Sequence, residues 1–344
     1  MDWIWVRKEH LMARVLVTGG AGYIGSICAR ELLRLGHEVI IIDDLSAGHR
    51  QAVPAGAKFY HLDIGDRNAI RELLASTPMD VVFHFAAKAL ISESVTNPGV
   101  FFDRNLASSI ALCEELRRAG VANFVFSSSA AVYGNPSTVP IPEDHPKEPV
   151  NAYGESKLAF ERVLRWYASS YGWSVVAFRY FNACGSTPSG GELHDPETHI
   201  LPLLLQTASG RRAYFEIYGA DYETPDGTCL RDYVHVSDIA DAHLLAFQKM
   251  NVPGFRAYNI GTGTSYSVRQ ICDAVAAVTQ KQLDLRVGPR RSGDPAVLCA
   301  SPARLINDFG WKPGRSDLTT IVASAWEWEQ RQVRNLRPAS RSLS

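Results

Sequence analysis

A cluster of glycines follows directly after the first apolar run of the chain. Arg14–Thr18 (RVLVT) is typical of a buried strand, and the residues GGAGYIG come next. Gly20, Gly22 and Gly25 satisfy the pattern G-x-G-x-x-G, and replacing Gly20 by Gly19 satisfies the wider G-x-x-G-x-x-G form. Glycines at these positions let a ligand approach the backbone, and a following helix offers N–H donors and positive potential to an anion. The pattern predicts a strand, a glycine turn and a helix that together bind a pyrophosphate.

Aspartates at the ends of the next two apolar runs complete the expected dinucleotide site. Asp43 and its neighbour Asp44 lie 18 and 19 residues past Gly25. A carboxylate at this point accepts hydrogen bonds from the ribose hydroxyls and repels a 2′-phosphate, which favours NAD over NADP. Asp44 can equally cap a turn. Asp63, which ends the third run, is expected to lie near the adenine.

Alternating apolar runs and helical periods predict an α/β fold with a doubly wound parallel sheet, the Rossmann arrangement. The strand-like runs are Arg14–Thr18, Val39–Asp43, Lys58–Leu62, Val81–His84, Phe124–Ser127 and Val175–Arg179. Helical periods occur at Tyr23–Leu35, Asp66–Ala75, Val100–Ala119, Tyr153–Tyr171, Val236–Met250, Val268–Thr279 and Leu318–Gln330. Ligands are then expected at the carboxyl ends of the strands.

The chain length predicts two lobes. Residues 12–182 are expected to form the NAD-binding Rossmann domain, and residues 183–334 mainly a smaller α/β substrate-binding lobe, with some return to the first lobe. The polar segments 1–11 and 335–344 are expected to be flexible tails.

The charge balance excludes several classes of partner. The net charge is -1, so no global field attracts nucleic acid or an anionic membrane.

The six cysteines are scattered without a C-x-x-C pair, and no His/Cys cluster has metal-ligand spacing, so no metal site is predicted. No apolar run is long enough for a membrane span or a signal peptide. These features favour the reduced cytoplasm.

A tyrosine and a lysine are placed for proton transfer. Tyr153 and Lys157 stand at i and i+4 of a predicted helix and share one face. A nearby ammonium is expected to lower the pKa of the phenol. Ser129 ends a predicted strand 24 residues before Tyr153, so its hydroxyl can bond the same substrate oxygen. Beside a hydride acceptor, these groups suit oxidation of a carbinol.

Six motifs together resemble the extended short-chain dehydrogenase/reductase family and, within it, the UDP-glucose 4-epimerases. The match runs from about Arg14 to Trp328. The motifs are TGGAGYIGS at 18–26, FSSSAAVYG at 126–134, YGESK at 153–157, RYFN at 179–182, DGT at 226–228 with RDYVH at 231–235, and RRSGD at 290–294.

The resemblance implies reversible C4 epimerisation of a UDP-hexose through a 4-keto intermediate, with Tyr153 as base and Ser129 orienting the hydroxyl. It also implies a homodimer. The residues implied to contact NAD, besides the glycines and aspartates above and the Tyr153–Lys157 pair, are Tyr23, Ile24, Ile64, Phe85, Ala86, Ala87, Asn105 and Phe181. Those implied to bind the UDP-sugar, besides Ser129, are Asn182, His199, Arg231, Arg291, Asp294 and Leu298.

Some alternatives stay open at this point. A 4,6-dehydratase is disfavoured because Ala130-Ala131 follows Ser129, where that reaction requires an acid. A UDP-N-acetylhexosamine, UDP-pentose or UDP-uronate could be the substrate, and a catalytically silent NAD sensor would be expected to lack Tyr153 or Lys157. Lys88 stands one place earlier than the lysine of some family members, so no cofactor contact is assigned to it, and His199 stands where some members have asparagine. Leu298, four places after Asp294, is expected to line the far wall of the sugar site and to leave room for an acetamido group.

Overall fold

The computed structural model describes residues 12–250, 252–291 and 294–336 of the chain. Residues 1–11 and 337–344, which the sequence predicts to be tails, lie outside the described residues. Residues 335 and 336 belong to the backbone of the last helix rather than to a tail.

The strands form one large sheet and two small ones. They are β1 Arg14–Thr18, β2 Glu38–Asp43, β3 Lys58–His61, β4 Val81–His84, β5 Asn123–Ser129, β6 Ser174–Tyr180, β7 Asn182–Cys184, β8 Phe215–Tyr218, β9 Leu230–His235, β10 Gly254–Ile260, β11 Ser265–Ser267, β12 Leu285–Gly288 and β13 Val297–Leu298. The large sheet has the order β10-β6-β5-β4-β1-β2-β3, and each of its strand pairs is parallel.

Helices cover both faces of the large sheet and surround the small ones. They are α1 Tyr23–Arg34, α2 Arg67–Ser76, α3 Ile91–Thr96, α4 Pro98–Phe101, α5 Ser108–Arg118, α6 Ala152–Tyr171, α7 Ile200–Ala208, α8 Val236–Gln248, α9 Val268–Thr279, α10 Ala303–Phe309 and α11 Leu318–Leu336. Short turns of 3₁₀ helix span Arg50–Ala52 and Ala130–Tyr133, and a π-helical turn spans Phe102–Ala107. None of the helices within the described ranges combines the length and apolarity that a membrane crossing requires.

The inner strands β1, β4 and β6 of the large sheet are buried on both faces, which explains their apolar sequences, whereas the edge strand β3 is largely exposed. Alternate residues of β1 point into two separate cores: Val15 and Val17 pack toward α1 and α8, whereas Leu16 packs toward α2 and α5. The strand order changes direction between β1 and β4, and ligands of doubly wound sheets bind in the crevice at this point. The predicted Rossmann fold is confirmed.

Within the described residues, the second half of the chain contributes strands to all three sheets. Strand β9 pairs with β7, β11 and β13, and helices α7, α9 and α11 pack around a third core. Strand β10 instead joins the large sheet beside β6, and α8 packs on α1. The division of the chain at residue 182 stays a prediction.

A buried ion pair connects α6 to β6. The Arg179 guanidinium makes two hydrogen bonds to Glu161, at 2.9 and 2.6 Å, and both side chains are only 1% exposed. The Ser128 hydroxyl donates to the same carboxylate at 2.6 Å, and Arg179 also donates to the Tyr133 hydroxyl at 2.8 Å. This network joins β5, β6 and α6 at the carboxyl edge of the sheet.

Glu161→Gln is predicted to lower the free energy of unfolding by about 3–5 kcal/mol, because it leaves the Arg179 charge buried without its counterion. The control is Glu155→Gln on the same helix, whose partner Arg162 is exposed, with an expected change below about 0.5 kcal/mol. Urea titrations of both variants measure the difference. Equal midpoints for the two variants would contradict the importance of this pair.

Candidate active site

The glycine turn after β1 packs so tightly that side chains are excluded from it. Gly19 has a φ of +69°, and a Cβ there would lie 2.5 Å from the backbone nitrogen of Ala86. A Cβ on Gly25 would lie 2.3 Å from the carbonyl oxygen of Gly19. Gly22 caps the N-terminus of α1 without a side-chain hydrogen bond. The first N–H groups of α1 are therefore offered to a ligand, as a pyrophosphate requires.

Asp43 ends β2 directly against this turn. Its carboxylate accepts hydrogen bonds from the backbone nitrogens of Ala21 and Leu45, each at 2.9 Å. Burial raises its pKa above the ordinary value, although these hydrogen bonds oppose the rise. Asp44 accepts from the Ser46 nitrogen at 2.9 Å and so also closes a turn. The aspartate predicted to recognise the ribose is thus the one held beside the glycines.

The third expected acid lies farther along the same sheet edge. Asp63 accepts from the Gly65 nitrogen at 2.8 Å and forms an ion pair with Arg104. Ile64 beside it is buried and packs into the core under α2.

The residues after β4 approach the glycine turn through their backbone. The Phe85 nitrogen donates to the Thr18 carbonyl at 2.9 Å, and Ala86 faces Gly19. Asn105, in the π-helical turn, accepts from the Lys88 nitrogen at 2.8 Å and donates to the Lys88 carbonyl at 3.0 Å. Asn105 therefore fixes the backbone of the segment that contains Ala87 and Lys88. Asn105 and Lys88 both have a structural role through this contact.

The first turn of α1 reaches the second half of the chain. The Tyr23 hydroxyl donates to the Gly185 carbonyl at 2.6 Å, and burial strongly raises its pKa. Ile24 and Phe85 pack against the same core, in which α8 lies beside α1. These contacts place the predicted cofactor residues around one crevice.

The three predicted catalytic residues converge at the ends of β5 and α6. The Lys157 ammonium donates to the Ser127 carbonyl at 2.8 Å and lies 5.8 Å from the centre of the Tyr153 ring. The Ser129 hydroxyl lies close enough to the Tyr153 phenol to lower its pKa, against the larger effect of burial, which raises it. The Ser129 hydroxyl also accepts from the Ala131 nitrogen at 3.1 Å, which orients it.

The charges in this cluster differ from the sequence-based expectation in one respect. Burial raises the pKa of Tyr153, and the nearby Ser129 hydroxyl opposes that rise. Burial lowers the pKa of Lys157 to about 7. The expected lowering of the tyrosine pKa by Lys157 is absent here, because the lysine donates to a backbone carbonyl and both groups are removed from water.

Several predicted substrate residues meet across the second sheet. Asn182 begins β7 immediately after the buried Phe181. Arg231 lies in β9, forms an ion pair with Asp294 and is the register partner of Leu298 in β13. Leu298 packs on a small core that also contains Phe181 and Ala130, the residue after Ser129. The predicted wall of the sugar site therefore contacts the catalytic edge.

Arg291 and His199 have other side-chain partners, although the Asp294 nitrogen donates to the Arg291 carbonyl at 3.3 Å. The Arg291 guanidinium stacks 4.1 Å from the centre of the Tyr218 ring. His199 precedes α7, with its Nδ1 2.7 Å from Glu192 and 3.2 Å from Glu197. Burial opposes its charge, but these two carboxylates raise the pKa of His199 to about 10.

The sequence assigns no role to Glu161 or to Arg179, although the latter begins the RYFN motif. An arginine near the end of an otherwise apolar strand is the signal that points to a buried partner. Glu192, His194 and Glu197 are also missed, because only cysteine and histidine spacings suggested ligands.

The wild-type protein is predicted to purify with NAD that denaturation releases, and Gly25→Ala is predicted to weaken NAD retention at least about tenfold, or about 1.4 kcal/mol. The added Cβ would force Gly19 out of the turn. Gly314→Ala is the control, because a Cβ there meets nothing within 4 Å. Dinucleotide in the supernatant is quantified after equal washing. Wild-type NAD content in Gly25→Ala would contradict the assigned turn.

Comparison with known proteins agrees with this geometry. The model of the NAD dependent epimerase/dehydratase family matches residues 15–261. UDP-glucose 4-epimerase of Lacticaseibacillus casei is 44% identical over 92% of this chain and 96% of its own length. The crystal structure of UDP-glucose 4-epimerase from Brucella ovis in complex with NAD has 41% identity and a TM-score of 0.88, covering 92% of this chain and 98% of that one.

A second solved structure carries a nucleotide sugar as well. UDP-glucose-4-epimerase from Stenotrophomonas maltophila, with bound NAD and formylated UDP-arabinopyranose, is 37% identical with a TM-score of 0.90 and covers 94% of this chain and 99% of that one. The glycine turn, the Tyr153–Lys157 pair and these similarities over nearly the whole length lead to one conclusion. The chain belongs to the NAD-dependent epimerase/dehydratase family and, within it, to the UDP-glucose 4-epimerases.

Proposed function

We propose that this protein interconverts UDP-glucose and UDP-galactose by inverting C4 of the sugar, with NAD as a resident cofactor. The observation that carries the proposal is the convergence of Ser129, Tyr153 and Lys157 at the sheet edge that also holds the glycine turn. The UDP-glucose 4-epimerases to which the chain is similar support the same reaction.

Tyr153 is the proposed base for the sugar's 4-hydroxyl. Its proximity to Ser129 marks the position where the substrate oxygen can be held by both side chains. Bound NAD⁺ supplies the acceptor for the hydride that leaves C4 and returns it later. Lys157 donates to the Ser127 carbonyl beside the phenol, and the positive charge of bound NAD⁺ would favour the phenolate.

Inversion requires the oxidised sugar to present its other face before reduction. The 4-keto sugar turns about its diphosphate linkage, and Tyr153 then returns the proton to O4. A site that permits this rotation must hold the nucleotide firmly and the sugar loosely. The proposed nucleotide contacts are Asn182 in β7, Arg231 in β9, and Arg291 and Asp294 after β12.

Arg231 and Arg291 are the proposed partners of the diphosphate, because a planar guanidinium bonds phosphate oxygens in pairs. Asp294 holds Arg231 in place through their ion pair. Asn182 and His199 are proposed further contacts of the UDP-sugar. The Stenotrophomonas relative, which holds a UDP-pentose, shows that a related site admits a sugar other than a hexose.

The homodimer and the compartment are also proposals. Ile91 and Val95 of α3 and Phe102 of the adjoining π-helical turn are exposed apolar residues beside α6, itself with exposed Trp166. We propose that a second copy of the chain covers this face. All six cysteines are buried free thiols, which suits a reduced cytoplasm.

Tyr153→Phe is predicted to lower kcat for UDP-galactose formation from UDP-glucose by about 10²–10⁴, because it removes the base but keeps the ring. The assay contains no added cofactor, and product is identified by chromatography. Tyr171→Phe, an exposed position at the end of the same helix, is the control and should keep wild-type turnover. Full activity in Tyr153→Phe would remove this residue from the mechanism.

The small size of the Leu298 side chain predicts that the sugar site also accepts N-acetylated hexoses. Its side chain is only partly buried and packs beside Phe181, where a tyrosine would reach farther into the site. Wild type should interconvert UDP-N-acetylglucosamine and UDP-N-acetylgalactosamine measurably. Leu298→Tyr should shift the kcat/KM ratio toward plain hexoses by roughly 10–200-fold.

The control for this change is Leu285→Tyr, an exposed leucine in β12. The assignment fails if Leu298→Tyr and Leu285→Tyr have the same ratio of kcat/KM values for the two substrate pairs.

A further inference from the structure

The loop before α7 gathers four side chains of metal-ligand type. Glu192, His194, Glu197 and His199 follow the spacing E-x-H-x-x-E-x-H, and one nitrogen or oxygen atom from each lies within 4.8 Å of all the others. The Glu192 carboxylate is 2.7 Å from Nδ1 of His199 and 3.0 Å from Nδ1 of His194. Glu197 lies 3.2 Å from His199 and 3.9 Å from His194.

The carboxylates of this cluster are held away from water. The Glu192 side chain is 7% exposed and that of Glu197 is 9% exposed. Arg211, which lines the cavity beside the cluster, is already paired with Glu329. Two buried negative charges therefore face one another with imidazoles as their main compensation.

One imidazole nitrogen in the cluster lacks a hydrogen bond. Nδ1 of His194 is shielded from solvent and, among the described residues, has no partner with hydrogen-bond geometry, even though Glu192 is 3.0 Å away. A buried nitrogen without a partner is costly. It lies within 4.8 Å of the other three ligand-type atoms, so a cation bound among them would satisfy it.

The donor set selects the class of cation. Two imidazoles and two carboxylates suit tetrahedral Zn²⁺, with bond lengths of about 2.0–2.2 Å, whereas Ca²⁺ and Mg²⁺ prefer oxygen ligands alone. We infer that Glu192, His194, Glu197 and His199 form a binding site for a divalent transition metal, with Zn²⁺ the best match. This site is separate from the Ser129–Tyr153–Lys157 cluster, although it shares His199 with the proposed contacts of the UDP-sugar.

A cation bound in this loop would stabilise the contacts that the loop makes with the rest of the fold. The Trp328 indole of α11 donates to the Glu192 carbonyl at 3.1 Å, and the His49 ring contacts the Leu193 carbonyl at 2.9 Å. The ring of His194 is nearly perpendicular to that of Tyr23, at the start of the cofactor helix, with centres 6.5 Å apart. A metal that closes the loop would hold α1 and α11 together, and it should raise the melting temperature of the NAD-loaded protein.

The test uses untagged, NAD-loaded protein that has been dialysed against a chelator. Titration with ZnCl₂ should end at one equivalent per chain, and CoCl₂ should produce the visible absorption of a tetrahedral site. Glu192→Gln and His194→Asn should each weaken zinc binding by more than about 100-fold and abolish the rise in melting temperature. Glu72→Gln, an exposed glutamate on α2, should bind zinc like wild type.

Far-UV circular dichroism and NAD content establish that each variant is folded. If a variant fails to fold, X-ray absorption at the zinc edge of the wild type decides, since the proposal requires nitrogen and oxygen ligands with imidazole scattering. Wild type that takes up no stoichiometric zinc, or loop variants that bind it as tightly as wild type, would overturn the proposal.

Discussion

The close packing of α6 on the turn after β5 determines the geometry of the active site. A Cβ on Gly154, in the first turn of α6, would lie 2.5 Å from the Ala131 carbonyl oxygen, so the helix can approach this turn only because residue 154 is glycine. One turn later, the Lys157 ammonium reaches the Ser127 carbonyl at 2.8 Å. Tyr153 is thereby held beside Ser129. The lysine thus serves first as the link between helix and strand, and its charge is buried as a consequence.

The same edge of the sheet is connected to the second lobe by backbone contacts. The Ile141 nitrogen donates to the Cys299 carbonyl at 2.8 Å, which ties the segment after Ser129 to the strand that carries Leu298. Asp232 in β9 is buried and accepts from the Thr262, Gly263 and Ala300 nitrogens at 2.8, 3.0 and 3.1 Å. Its carboxylate therefore holds the end of β10 and the end of β13 together. The wall of the sugar site is in this way positioned relative to Tyr153.

Features that depend on local spacing could be predicted from the sequence, whereas those that depend on tertiary packing could not. The strand–glycine turn–helix unit and the Tyr153–Lys157 pair could be predicted because each consists of residues that are close together in the sequence. The periodicity of 100–119 predicts one helix, but the structure contains a π-helical turn at Phe102–Ala107 that points Asn105 toward Lys88. Likewise, the raised pKa of Tyr153 results from burial by distant segments. A cluster of carboxylates and histidines within one loop can be recognised in the sequence only when the spacings of both residue types are considered together.

In the proposed mechanism, the hydride leaves C4 and returns to the opposite face of the same carbon within one active site, without exchange with water. The most direct measurement follows UDP-galactose labelled with deuterium at C4, incubated with the purified protein in ordinary water without added cofactor. Mass spectrometry and proton NMR of the UDP-glucose formed locate the label. Because the same hydride returns to C4, the UDP-glucose formed should keep the deuterium at C4. Loss of the label to water, or conversion only when NAD is supplied in stoichiometric amounts, would contradict it.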